Sequence, residues 1–163
     1  MRTWAPRGHT PIVRMAFNWK RLSVTGALAV APDLSRVRIF LSPKPGNVDG
    51  PTTIAFLRSV RRHVHAPVLL VWDRLPAHLS RLTRSWIATQ RHWLEVEWLP
   101  PYAPELNPVE YLWGHLDSTH LANFAPDDLA ELEAQVRRGV RQARRTDDLA
   151  FAFLKHSGLY PEL

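Results

Sequence analysis

Residues 67–80, "PVLLVWDRLPAHLS", run through four consecutive aliphatic side chains and an indole, then change without transition to an aspartate. A short apolar run lacking polar alternation fits a parallel strand covered on both faces. Asp73 then stands at the C-terminal end of that strand, the edge where open α/β sheets assemble their sites. A purely structural reading is also available: a turn aspartate that accepts a bond from its own backbone ahead of "RLPAH".

The flanking sequence extends this pattern in both directions. Upstream, "RLSVTGALAVAP" (21–32) reads as a strand, and "SRVRIFLSP" (35–43) alternates Val37, Ile39 and Leu41 against Arg36, Arg38 and Phe40. "APDLS" between them has turn chemistry, so the two strands form a hairpin. Residues 52–64 place Ile54, Leu57, Val60 and Val64 at helical spacing, with Arg58, Arg61 and Arg62 elsewhere on the wheel. Downstream, a helix is expected at about 80–91 and another strand in "LEVEWLP" (94–100). Strand, strand, helix, strand, helix, strand, helix implies an α/β fold with a mixed sheet.

Composition bounds the function. The chain has 163 residues, 45% of them hydrophobic, which suits a single domain with a real core, here taken as 1–163. A formal charge of +6 favours an anionic partner such as nucleic acid, although solubility alone also accounts for it. Cysteine is absent, which excludes disulfides and thiolate metal sites and suits a reducing compartment. The N-terminus is polar, without a signal peptide, and no apolar run reaches membrane-spanning length, so the reading is a soluble, cytoplasmic protein with no membrane partner. The eight histidines lack zinc-ligand spacing, and the seven tryptophans fall on apolar faces suited to packing.

The second informative stretch is "WLPPYAPELNPVEYLW" (98–113). Asn107 suits a helix N-cap, Pro108 the first helical position, and Glu110 the third, where it would complete a capping box. Its charge also suits a helix N-terminus. Asp73 and Glu110 together suggest more. If the strands ending near 72 and 98 are parallel neighbours, both carboxylates open on one edge of the sheet. Such hard oxygen ligands bind Mg²⁺ or Mn²⁺, and with a third carboxylate they can hold a metal pair for phosphodiester cleavage.

"VLLVWDRLPAHLS" followed by "WLPPYAPELNPVEYLWGHL" resembles the transposases of the bacterial IS630 group, relatives of the Tc1/mariner elements. "RTWAPRGHTPIV", "RLSVTGAL" and "LAN" at 121–123 extend the resemblance over most of the chain. It implies a ribonuclease-H-like fold, a D-D-E/D catalytic triad, two Mg²⁺ or Mn²⁺ ions, and cleavage and transfer of DNA strands at transposon ends and target. By that resemblance Asp73 is the second catalytic aspartate and Glu110 the terminal glutamate. His78 matches a histidine of the motif and, with Asn107, is a candidate support for the two carboxylates. In the family the first aspartate lies shortly before the "RTWAPRG" segment, whereas here no Asp or Glu precedes Asp33, which sits in the hairpin turn. The expectation is therefore a triad one carboxylate short and a chain inactive alone. The first strand would be missing or replaced, for example by "TPIVRMAFNW" (10–19), and the family's N-terminal DNA-binding region would be absent. The alternatives are a non-catalytic fragment that binds DNA, a second copy or a full-length transposase, or a remnant without function.

Segment 126–145, "PDDLAELEAQVRRGVRQARR", reads as a helix with acids early and arginines late. Arg137, Arg141, Arg144 and Arg145 can share a face and contact phosphates. A solvated face, with Leu129, Leu132, Val136 and Val140 packed inward, explains the same pattern.

Overall fold

The computed structural model describes residues 7–8, 21–146 and 148–159; the stretch 10–19 falls outside them. Strands β1 (Leu22–Val30) and β2 (Val37–Pro45) pair antiparallel, in register from Leu22 opposite Pro45 to Val30 opposite Val37. The expected turn closes the hairpin: Asp33 Oδ1 accepts from both the amide and the hydroxyl of Ser35, and Leu34 takes a left-handed φ of 57°. The alternation of β2 is also observed, since Ile39 is buried and Val37 and Leu41 pack into the same cluster.

Helix α1 (Gly50–His63) starts two residues before the expected 52 because Asp49 caps it, accepting from the Thr52 amide. Strands β3 (Val68–Trp72) and β4 (Leu94–Trp98) pair in parallel and in step, Val68 opposite Leu94 and Trp72 opposite Trp98. The helix expected at about 80–91 is α3 (Arg81–Ala88), and a four-residue helix that the sequence reading did not include, α2 (Pro76–Leu79), precedes it. Ser80 divides them: its backbone is extended, and its hydroxyl accepts from the Thr83 amide, which makes it the N-cap of α3.

Among the described residues the strands form two two-stranded sheets, one antiparallel and one parallel, with no described strand between the hairpin and β3. One sequence expectation is corrected: β3 is not covered on both faces by described residues. Trp72, with Val68 and Leu70 beside it, packs with Leu57, Trp93 and Leu94 under α1 and α3, whereas Leu69 and Val71 are 59% and 42% exposed. The described helices beyond α3 pack on the hairpin instead, so nothing described covers the outer face of β3. There Leu69 and Val71 stand opposite Glu95 and Glu97, which keep that face wetted.

Helices α4 (Pro108–Thr119), α5 (Leu129–Ala143) and α6 (Leu149–His156) complete the chain. Leu112, Leu116, Val140, Ala143 and Phe153 join Ile39 in a second core. Of the inward positions expected on α5, Val136 and Val140 are fully buried and Leu129 and Leu132 half-buried. Helix α6 has no counterpart in the sequence reading: it spans two turns and its Asp148 cap makes no side-chain bond. Where α4 crosses β1, the approach requires glycine, since a Cβ on Gly26 would lie 2.7 Å from the Trp113 ring and 3.3 Å from Val109 Cγ1.

Gly26→Ala should therefore destabilise the fold by about 1–3 kcal/mol, the usual cost of overpacking. Thermal unfolding followed by circular dichroism should show a Tm lowered by several degrees, and an unchanged Tm would mean that Trp113 yields freely.

Candidate functional site

Asp73 leaves β3 directly after buried Trp72, and its two oxygens have different surroundings. Oδ1 accepts from the Leu75 amide at 3.0 Å, the turn-aspartate geometry that the sequence allowed, and lies 2.8 Å from His78 Nδ1. No described residue donates to Oδ2, which leaves it available to a ligand. His78 is buried and stacks on Trp72 with ring centroids 4.1 Å apart and planes 12° apart, so its imidazole is fixed by packing before it meets Asp73. Partial burial pushes the Asp73 carboxyl up, but the hydrogen bond and charge of His78 and the Leu75 amide more than reverse this, and its pKa lies below the usual value.

Glu110 arrives from the other side. β4 ends in step with β3, and Leu99 continues the pairing by donating its amide to the Trp72 carbonyl at 2.9 Å. The chain then passes Pro100 and Pro101 and a single 3₁₀ turn at Pro104–Leu106 before α4. The Tyr111 hydroxyl ties this turn down, within 3.2 Å of the Glu105 carbonyl and 3.0 Å of the His156 carbonyl. Asn107 is the N-cap, as expected, and accepts from the Val109 amide at 3.2 Å. The expected capping box is not closed: the Asn107 amide donates to the Pro104 carbonyl within the 3₁₀ turn and has no need of Glu110. The Glu110 carboxylate is left without a described hydrogen-bond donor. Burial, and then the charge of Asp73, push its pKa above the usual carboxylate value.

Asp73, Asn107 and Glu110 line one cavity of about 410 Å³, together with Arg74, Tyr102 and the prolines of the loop. His78 stands behind Asp73 rather than on the cavity wall. The sequence reading passed over two of the lining residues. Arg74 donates from Nε to the Leu99 carbonyl at 3.3 Å, joining the exits of the two strands. Tyr102 is fully exposed and holds a left-handed φ of 58°. An aromatic residue flanked by prolines in a loop between two acidic positions was the signal for it.

Asp73 and Glu110 fit a divalent cation. Magnesium is commonly held by one or two carboxylates, with water and substrate phosphates completing its shell, and these residues offer one uncommitted oxygen on Asp73 and an unpaired carboxylate on Glu110. Among the described residues no group of three or more metal-ligating side chains occurs.

The four arginines proposed on α5 do not form one free row. Arg137 is paired with Glu133 at 2.7 Å, and Arg144 reaches across to the hairpin, where its Nε and Nη2 donate to the Ile39 carbonyl at 3.0 and 2.6 Å. Burial and then Arg38 lower the Arg144 pKa, as expected for a guanidinium enlisted in packing. Arg141 and Arg145 remain exposed.

The family model described as "DDE superfamily endonuclease" matches residues 1–133. No curated protein sequence matches. Among solved structures, the Mos1 mariner paired-end complex with Mn is similar at 19% identity and a TM-score of 0.51, over 99% of this chain and 52% of that one. The Mos1 transposase paired-end complex with left transposon end gives 19% and 0.53, over 99% and 52%. A chain of the simian T-cell lymphotropic virus intasome, solved in complex with PP2A regulatory subunit B56 gamma, gives 14% and 0.52, over 88% and 55%. The present chain thus spans about half the length of these chains, and the likeness confirms the ribonuclease-H-like α/β fold.

The electrostatics are testable through titration. Asp73→Asn removes the neighbouring charge while leaving the burial, so the Glu110 pKa should fall; His78→Ala removes a donor and a charge, so the Asp73 pKa should rise. Carboxyl carbon chemical shifts followed through pH would read both, and a Glu110 titration indifferent to Asp73→Asn would mean that the two groups do not share a site.

Proposed function

The chain belongs to the DDE superfamily of endonucleases, and on that premise we propose that it is a catalytic-domain segment of a DNA transposase of the IS630 and Tc1/mariner kind, with Asp73 and Glu110 as the metal-holding carboxylates for cleavage of a phosphodiester bond. The observation that carries this reading is Glu110 itself: a carboxylate in a shared cavity, released from its capping role, with its pKa raised by burial and by Asp73. A residue that served only to cap α4 would be bonded to the helix N-terminus and held below its usual pKa.

Residues at the cavity and behind it have distinct parts in this reading. His78 and the Leu75 amide occupy Oδ1 of Asp73 and so leave Oδ2 for a ligand. Asn107 and the proline loop fix where α4 begins and hence where Glu110 points. Arg74 supplies a positive charge at the cavity wall, suited to a phosphate oxygen. A bound Mg²⁺ or Mn²⁺ would supply Lewis-acid polarisation of the phosphodiester and a more acidic water. The family's two-ion arrangement uses three carboxylates. Because the described residues contribute two, we infer that cleavage needs a third from outside them, and that the described part alone binds metal without turning over.

Tyr102 suits a nucleic-acid substrate for a separate reason. Its ring is fully exposed at the rim of the cavity, on a backbone stiffened by Pro100, Pro101 and Pro104, where it can stack on a base near the reacting phosphate.

Isothermal titration of Mn²⁺ should show a site that Asp73→Asn and Glu110→Gln each abolish. Affinity should start to decline, as pH falls, above the ordinary glutamate range, because the proton competes longest at Glu110 while Asp73 stays ionised. No heat in a chain shown to be folded would sink the metal reading and leave Glu110 a feature of the helix N-terminus. Separately, Tyr102→Ala should weaken binding of single-stranded DNA by about 5- to 150-fold, the worth of one stacked base, while Tyr102→Phe retains it. Equal affinities of the two variants in a fluorescence-anisotropy titration would remove Tyr102 from the substrate path.

A further inference from the structure

The arginines of α1 collect at the opposite end of the β3–β4 pair from the carboxylates. Arg58, Arg61 and Arg62 line an open groove of about 440 Å³ with Trp86 and Gln90, and with Trp93, the residue just ahead of β4. No carboxylate lines this groove, and none of its three arginines makes a salt bridge among the described residues. Arg61 is a strut: its Nη1 donates to the Val64 and Ala66 carbonyls at 3.2 and 3.0 Å, and its guanidinium lies 5.0 Å over the Trp93 ring. Arg58 sits 5.8 Å over the half-buried Trp86 ring, and both Arg58 and Arg62 are exposed. The indole face holds the Arg58 guanidinium in place while its N–H edges stay open to an oxyanion. Trp93, edge-on to Trp86, is itself fixed by donating Nε1 to Gln90 Oε1 at 2.9 Å.

We propose that this groove between α1 and α3 is a second DNA-backbone site, in which Arg58 and Arg62 contact phosphates of the same duplex whose reacting bond lies at the carboxylate cavity. The proposal rests on the DNA reading above. Charge complementarity favours a polyanion, since the groove presents three cations and no acid, and the chain carries a formal charge of +6. Geometry favours a duplex over a compact anion. Five strand residues at about 3.3 Å each separate the two ends of the parallel pair by roughly 16 Å. Duplex DNA covers that distance in about five base pairs at roughly 3.4 Å each, so one duplex running along the strands can meet both ends. The role is positional: backbone contacts fix register and contribute affinity that falls with salt.

The test is fluorescence anisotropy of a short duplex of arbitrary sequence against salt concentration, with wild type, Arg58→Ala/Arg62→Ala and, as a control on α5, the exposed Arg138→Ala. Removing two phosphate contacts should make the log–log salt slope shallower by about 1.8 and weaken binding at low salt, with no change in thermal unfolding. The Mn²⁺ titration should be untouched, since neither arginine lines the carboxylate cavity. An unchanged slope in the double variant, with wild type still binding DNA, overturns the groove and leaves the metal and DNA reading standing. Wild type that binds Mn²⁺ but no DNA overturns the groove and the DNA reading together, and the carboxylate site survives. A polyglutamate peptide that displaces the duplex as well as unlabelled duplex does, charge for charge, would also overturn it, by showing a general anion patch.

Discussion

Everything at the carboxylate cavity depends on two parallel strands ending in step. With Trp72 opposite Trp98 and the Leu99 amide bonded to the Trp72 carbonyl, Asp73 and the loop after β4 leave the sheet side by side. A parallel ladder cannot shift by one residue without turning every side chain to the other face, and the apolar set under α1 and α3 prevents that shift. The prolines then do the remaining work. They restrict the unfolded loop, so less conformational entropy is lost in holding it, and they lead into a 3₁₀ turn that satisfies the Asn107 amide without help from Glu110.

The two carboxylates are therefore brought together by the fold and then treated unequally. Donors are concentrated on Asp73, from His78 and the Leu75 amide, and withheld from Glu110. Their titrations move in opposite directions, Asp73 down and Glu110 up, the separation expected when one of two like charges is compensated and the other is not. Glu110 is left without a compensating donor beside a second carboxylate, and a cation between the two would relieve that repulsion. Trp72 shows the same preference for site over packing: its indole supports the His78 ring while its own Nε1 is buried without a described partner.

The sequence displayed the order of strands and helices through α4 because each element carried its own signal: alternation in β2, the apolar run of β3, the capping chemistry of Asn107. It did not display α2, because four residues between Leu75 and Ser80 are too few to carry a helical period. Nor did it display the exposure of Leu69 and Val71. An apolar run records what a strand can be buried against, whereas actual burial depends on which helices arrive, and α5 and α6 pack on the hairpin. At the site, Asp73 and Glu110 were legible as residue types at the mouths of their elements. The open capping box was not, since it turns on a single amide choosing the Pro104 carbonyl. The α5 arginines misled for a related reason: spacing shows which face a side chain occupies, but Arg144 is long enough to leave that face and bond the Ile39 carbonyl.

Helix α4 connects these observations. Its first turn carries Glu110 to the cavity, while Leu112 and Leu116, one and two turns on, are fully buried in the core shared by the hairpin, α5 and α6. Asp73 directly follows Trp72, which belongs to the other core with Leu57 and Trp93. The two carboxylates are thus held by two different hydrophobic clusters, and their separation is set by how those clusters sit against each other. Close packing makes each cluster rigid within itself, so the adjustable quantity is the seam between them. The proline loop crosses that seam beside the cavity, and the Arg74 bond to the Leu99 carbonyl anchors the start of that loop to the end of β3. The geometry of the site is therefore fixed by covalent and polar ties at its own rim, on top of the two cores that carry its halves.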